Sequence, residues 1–226
     1  MTVVVLLGAP GAGKGTQAPV VARQLEVPVL ASGDLLRASV AADTPIGREA
    51  DRYMSRGQLV PDTTVVRAFL DRLAAADAAR GAVLDGFPRT RGQAEVLDEA
   101  LADADKRVDA AILIDVPIED LVLRMASRRI CAANGHVYNL ASNPPHVPGV
   151  CDLDGSPLVQ RDDDREETVR ARMVEQVPPL EQVVDYYQRR GILKTVDGRQ
   201  SIERVSRDVL AALPHPVHVG DGSVAG

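Results

Sequence analysis

The chain has 226 residues, 45% of them hydrophobic and 26% charged, which excludes disorder as the starting point and allows one large core with small insertions. Its net charge of -6 excludes a protein-wide basic surface for nucleic acid, and two cysteines exclude a disulfide framework. No apolar stretch has the length of a membrane span or the form of a secretory leader, so a cytoplasmic protein is expected. No long heptad pattern offers a face to a second chain, so a monomer is expected too.

Residues 3–7 are a short apolar run ending at Gly8, the pattern of a buried parallel strand. Directly after it stands Gly8-Ala-Pro-Gly-Ala-Gly-Lys-Gly-Thr16, and then a helical pattern over 16–25. Strand, glycine-rich loop and helix in that order make a phosphate cradle. Gly11, Gly13 and Gly15, with Ala12 among them, let backbone N–H groups turn inward on an anion. The helix start at Thr16 adds donors and a positive dipole end, and Lys14 reaches the terminal phosphates as a point charge. The usual pattern has Ser or Thr directly after the lysine to hold Mg²⁺, whereas here Gly15 intervenes. Magnesium is therefore expected on phosphate oxygens and water, with Asp85, at the end of a later strand, binding the metal's waters.

A second strand pattern at 27–30 leads into residues 32–60, where only short helical patterns occur, with breakers at Pro45, Gly47 and Gly57. Then come a helical pattern over 63–79 and strands at 82–84 and 110–116. Residues 127–164 carry the turn chemistry of small hairpins: Asn134-Gly135, Asn143-Pro144-Pro145, Pro148-Gly149 and Asp154-Gly155. A last strand pattern covers 192–196. This alternation predicts an α/β fold, a P-loop-containing doubly wound parallel five-stranded sheet with helices on both faces and two inserted mobile subdomains. The expected division is a core of 1–31, 61–126 and 165–213, inserts at 32–60 and 127–164, and a flexible tail at 214–226. Ligands on such sheets sit beyond the carboxyl ends of the strands.

Ala31-Ser-Gly-Asp-Leu-Leu-Arg37 follows the second strand and Leu84-Asp-Gly-Phe-Pro-Arg-Thr90 the third. Farther on lie Arg161-Asp-Asp-Asp-Arg-Glu-Glu-Thr168 and Val196-Asp-Gly198. With the glycine-rich loop, and in this order, these motifs resemble the adenylate kinase family in its long-lid form over nearly the whole chain. The resemblance implies reversible, magnesium-dependent phosphoryl transfer from ATP to AMP, giving two ADP. Such chemistry needs positioning, charge neutralisation and exclusion of water more than a general base. Only Lys14, Lys106 and Lys194 among the 26 cationic residues are lysines, and arginine's planar fork suits phosphate.

By the same resemblance, 32–60 is an AMP-binding flap and 127–164 an ATP lid. Lys14, Asp85, Arg89, Arg128, Arg161 and Arg172 are the implied catalytic set. AMP would meet Ser32, Arg37, Gln58, Leu59, Val60, Gly86, Phe87, Pro88, Arg89, Gln93, Arg161 and Arg172. Ser32 keeps the hydroxyl of the threonine usual there, and the Gln93 carboxamide can pair with an adenine edge. ATP would meet the cradle, Arg124, Arg128, Val137, Tyr138 and Gln200. Arg124 precedes Arg128 by one helical turn and is expected to share its face. The rival readings are a uridylate/cytidylate or guanylate kinase, against which the long lid argues, and a non-catalytic nucleotide-binding module, against which the arginine set argues.

Relatives with a metal-bearing lid show two Cys-x-x-Cys-like pairs, and here the pattern departs. Asn134 stands three residues after Cys131, and the later half-site reads Cys151-Asp-Leu-Asp154. With His136 in place of the missing thiolate, Cys131, His136, Cys151 and Asp154 make a chemically reasonable Zn²⁺ set. A lid pinned by hydrogen bonds among the same residues is the alternative, and a Cys131–Cys151 disulfide a third.

Overall fold

The computed structural model describes residues 2–54, 60–160 and 164–214, so all of the expected flexible tail except Pro214 lies outside the described residues. Strand β1 (Thr2–Leu7) pairs in parallel with β3 (Gly81–Asp85) on one side and β4 (Ala110–Asp115) on the other. β2 (Val29–Ala31) joins β3, and β8 (Leu193–Asp197) joins β4, also in parallel. The five-stranded order β2-β3-β1-β4-β8 is the expected doubly wound sheet. Side chains alternate across it. Val3, Val5 and Leu7 of β1 enter one buried layer, and Val4 and Leu6 the other. One layer is covered by α2 (Ser32–Ala41), α4 (Asp62–Leu73) and α5 (Arg91–Asp103), the other by α1 (Lys14–Leu25), α6 (Ile118–Ala126) and α8 (Ile202–Ala211). The long α7 (Glu166–Arg189) serves both, through Val169 and Met173 at one end and Val183 and Tyr187 at the other. Pro178 and Pro179, which remove two helix amides, lie between these halves.

Three of the differences from expectation have a local reason. β2 begins at Val29 rather than 27, because the Val27 amide closes α1 by bonding to Ala22 O and Pro28 has no amide to pair. The helix expected over 63–79 ends at Leu73, where the backbone turns extended at Ala75 before a 3₁₀ turn at Ala76–Ala78. Alanines favour helix but bury little surface, so they do not hold the helix through this stretch. The first insert is more helical than the sequence suggested. It holds two ten-residue helices, α2 and α3 (Pro45–Met54). Thr44 Oγ1 accepts the Gly47 amide at the start of α3, with Pro45 in the first helical position. Gly47 is no breaker: a Cβ there would lie 2.0 Å from Ser39 O, so glycine is what lets α3 cross α2.

The second insert is the expected small antiparallel sheet, in order β6-β5-β7, made of β5 (Arg128–Cys131), β6 (Val137–Asn139) and β7 (Leu158–Val159). Among the described residues its core is Cys131, Tyr138 and Cys151, with Leu158 packed alongside. The start of β5 also corrects an expectation: α6 ends at Ala126, so Arg124 is on a helix and Arg128 on a strand, and the two share no helical face.

Candidate active site and the cluster in the second insert

β1 hands the chain to α1 on one layer, while its neighbour β3 hands it to α5 on the other. Where adjacent strands send their helices to opposite faces, a crevice opens at their carboxyl ends. The glycine loop enters that crevice. Gly13 takes φ 101, a left-handed conformation that only glycine adopts without strain, and its carbonyl accepts the Thr16 and Gln17 amides to start α1. Gly11 is fixed by space as well as by φ 84, since a Cβ would come within 2.8 Å of Met125 Cγ.

Lys14 Nζ donates to Gly8 O at 2.7 Å and Ala9 O at 3.1 Å. Burial lowers its pKa to about 8, the Asp85 carboxylate opposes that shift, and Arg89 and Arg172 push it the same way. Burial raises Asp85 above the usual carboxylate range, against the pull of Lys14 and Arg89. Arg89 is lowered by burial and by Arg172. Among the described residues, Lys14, Arg89 and Arg172 act on one another in the crevice beside the Asp85 carboxylate, fixed cations of the kind that bind phosphate. A Cβ at Gly15 would lie 3.5 Å from Asp85 Oδ2, so the carboxylate sits over the first turn of α1, where a Ser or Thr hydroxyl would usually reach a metal. Hard oxygen donors of this kind fit Mg²⁺.

Arg89 is aimed by its surroundings. Nε donates to Gly86 O at 2.8 Å and a terminal nitrogen to Ser32 Oγ at 3.0 Å, which ties the end of β3 to the start of α2. Gln93, expected on an adenine edge, is buried and engaged at both ends. Its Oε1 accepts the Arg89 amide at 2.7 Å and its Nε2 donates to Asp62 Oδ1 at 2.6 Å. Thr90 caps α5 and donates to the other Asp62 oxygen at 2.7 Å. Phe87, also expected against AMP, stacks on Phe69 with ring centroids 4.0 Å apart and is fully buried, with Pro88 buried beside it. Val60 is at the core edge, and exposed Arg37 pairs with Asp34 at 2.5 Å. Gln58, Leu59 and Arg161 lie outside the described residues.

On the opposite wall, Arg124 donates to Gly198 O at 2.8 Å, and Gln200 binds Asp208 at 2.8 Å. Arg128 forms a two-point pair with Asp164, Nε to Oδ2 at 2.8 Å and a terminal nitrogen to Oδ1 at 2.5 Å. Asp164 is fully buried, and Gln160 donates to Ala126 O and Asp164 O beside it, so the two chain crossings of the insert are joined there. The sequence reading missed Asp164 and Asp62. The first lay hidden in a run of three aspartates, and the second had only its position at a helix start as a signal.

In the second insert, one ligand atom from each of Cys131, His136, Cys151 and Asp154 lies within 4.8 Å of all the others. Cys131 Sγ is 3.1 Å from Asp154 Oδ2, and His136 Nδ1 is 3.3 Å from Cys151 Sγ. Both cysteines are buried and free, which is not the disulfide alternative. Asn134, at the place of a second thiolate, donates Nδ2 to Asp154 Oδ2 at 2.7 Å. That bond, the Ser156 amide and Cys131 hold the Asp154 carboxyl far below its ordinary range. Burial opposes ionisation of Cys151, but hydrogen bonds from Tyr138, the Leu153 backbone and His136 outweigh it and lower the thiol. Val137 is exposed, whereas Tyr138, expected against ATP with it, is buried in the core of the insert.

The family model described as adenylate kinase matches residues 6–192. Adenylate kinase of Staphylococcus aureus (strain Mu50 / ATCC 700699) is 43% identical over 212 residues, covering 94% of this chain and 99% of the relative. Adenylate kinase of Staphylococcus epidermidis (strain ATCC 12228 / FDA PCI 1200) matches with the same identity and coverage.

Proposed function

This chain belongs to the adenylate kinase family, and from that premise we propose how its residues carry the activity. It is a nucleoside monophosphate kinase: an oxygen of the AMP phosphate attacks the terminal phosphorus of ATP, the bridging oxygen leaves with ADP, and a second ADP is formed. The observation that carries the residue assignment is the gathering of the Lys14, Arg89 and Arg172 cations beside Asp85 in the crevice where the glycine loop lies. Charge that spreads over the phosphoryl oxygens during transfer is stabilised by groups already fixed in place, so little reorganisation is needed at the reacting moment. Lys14 follows the transferring group, Arg89 and Arg37 grip AMP, and Arg172 with Arg161 bridges the two nucleotides.

Arg128 meets the ATP phosphates, and Arg124 lies on the adenine. Asp85 would hold magnesium through water, and magnesium, when bound with ATP, would neutralise phosphate charge. Residues 32–60 close as the AMP flap and 127–164 as the ATP lid, shielding the reaction from water that would compete as acceptor. Gln93 acts on AMP through its hold on the Arg89 backbone and Asp62 rather than by presenting both ends of its amide to a base. We further take the lid cluster as a structural zinc site, supported by the four converging ligand atoms. The reading also takes the protein as a cytoplasmic monomer, which light scattering on the purified protein tests.

A coupled assay with ATP, magnesium and each of AMP, UMP, CMP and GMP tests the specificity. ADP formation with AMP at least tenfold above the others is expected. Preference for a pyrimidine monophosphate or GMP would transfer the chain to the rival reading.

A further inference from the structure

A zinc ion in the lid would bring two positive charges to three anionic ligands, the Cys131 and Cys151 thiolates and the Asp154 carboxylate, with His136 neutral. The site would keep one excess negative charge around two cysteines only 1% and 2% exposed. Buried excess charge needs donors from outside the ligand set. The carboxylate has them in Asn134 Nδ2 and the Ser156 amide, at 2.7 and 2.8 Å, and Cys131 Sγ has the Asn134 amide at 3.4 Å. The side chain that reaches Cys151 from outside the set is Tyr138, its hydroxyl 3.5 Å from Sγ and both residues buried.

The direction of that bond follows from the zinc reading: a thiolate has no proton to give, so the Tyr138 hydroxyl is the donor. The Asp152 amide donates to Tyr138 Oη at 2.8 Å, so the oxygen's acceptor capacity toward the backbone is in use and its one proton is free to point at sulfur. The hydroxyl therefore links the ligand's sulfur to the backbone of the next residue, which limits both rotation of Cys151 and drift of the turn that carries it. Tyr138 comes from β6 and Cys151 from the loop before β7, so the bond also joins the two halves of the lid.

We infer that Tyr138 is the positioning residue of the lid metal, donating its hydroxyl proton to the Cys151 thiolate and so holding that ligand in place against the site's excess negative charge. The inference rests on the zinc reading of the lid. It gives a side chain assigned to ATP by family resemblance a task inside the lid, and leaves the exposed Val137 to face the nucleotide.

Tyr138→Phe keeps the ring in the lid core and deletes only the oxygen. Zinc affinity is measured by chelator competition on the whole enzyme, alongside the thiolate-to-metal charge-transfer band after cobalt substitution. The expected result is a loss of tenfold or more in zinc affinity together with a shifted band, because the thiolate has lost its hydrogen bond. Unchanged affinity would overturn the inference, as would weaker binding with an unmoved band, which would mean that only the loop had loosened. A native enzyme that takes up neither metal would overturn the zinc reading itself, and this inference with it. Thermal unfolding of the apo forms accompanies both measurements, so that a misfolded variant is recognised as such.

Discussion

The crevice and the lid cluster are both concentrations of charge, but they are built on opposite plans. In the crevice Lys14, Arg89 and Arg172 lie beside Asp85, and desolvation lowers Lys14 and Arg89 and raises Asp85, each away from its charged form. In the lid the polar groups satisfy one another, and hydrogen bonds push Asp154 and Cys151 toward their charged forms. The first site holds cations suited to a polyanion. The second is complete as a hydrogen-bonded knot, and its anionic ligands suit a cation. A catalytic site must keep unspent electrostatic capacity for the transition state, whereas a structural one can use its capacity at once.

The largest expected effect tests the crevice. Lys14→Ala should lower kcat/KM by about a thousandfold or more, several kcal/mol of transition-state stabilisation, with the fold retained by circular dichroism. Because that lysine is held against burial, its loss should leave the thermal stability of the nucleotide-free enzyme unchanged or raise it. A large fall in Tm would show that the crevice is as self-satisfied as the lid and break the contrast.

Arg89→Ala should raise the KM for AMP by about a hundredfold, in the range lost with a charged hydrogen-bond partner, and the KM for ATP far less. Steady-state kinetics with each substrate varied in turn decides it. Equal damage to both would make Arg89 a general support of the crevice rather than part of an AMP grip.

The pH dependence sharpens the comparison further. In the nucleotide-free enzyme Lys14 loses its proton near pH 8, against 10.5 for the ordinary side chain, so nucleotide affinity should fall as pH rises through about 8. The sign for stability is the reverse. Between about 8 and 10.5 the unfolded chain binds more protons at this residue, so its contribution to folding stability rises with pH across that window. Calorimetric titration of ATP at pH 7 and 9 should show the affinity change in native enzyme and not in Lys14→Met.

The smallest effect belongs to the lid. Removing metal with a chelator, or Cys151→Ser, should lower Tm by a few degrees and leave the core's unfolding nearly unaltered, since the lid core is a small cluster of three buried residues separate from the two layers of the main core. A collapse of the whole fold on chelation would show that the lid supports the core.

Several features of the site were legible in the residues themselves. Gly13 and Gly11 announce a loop in which only glycine fits, Lys14 follows them, and the apolar run of β1 precedes them, all within fifteen positions. The turn pairs of 127–164 likewise announced a small antiparallel sheet. The first insert was misread because Pro45 and Gly47 look like breakers in one dimension, while in three they start one helix and let it cross another. Arg124 and Arg128 were wrongly joined because spacing alone does not say where a helix ends.

Sequence alone determined the strand–loop–helix cradle, the five-stranded alternation and the family motifs, because glycine conformations, helix starts and apolar periods depend on neighbouring residues. Only the tertiary structure decided that Asp164 pairs with Arg128, that Asp62 holds Gln93, that Phe87 turns inward onto Phe69, and that Tyr138 closes on Cys151. The physical reason is distance along the chain. Partners separated by 13 to 36 positions meet only after the intervening segments have packed, and each finds its place by satisfying a buried charge or filling a void that no local pattern describes.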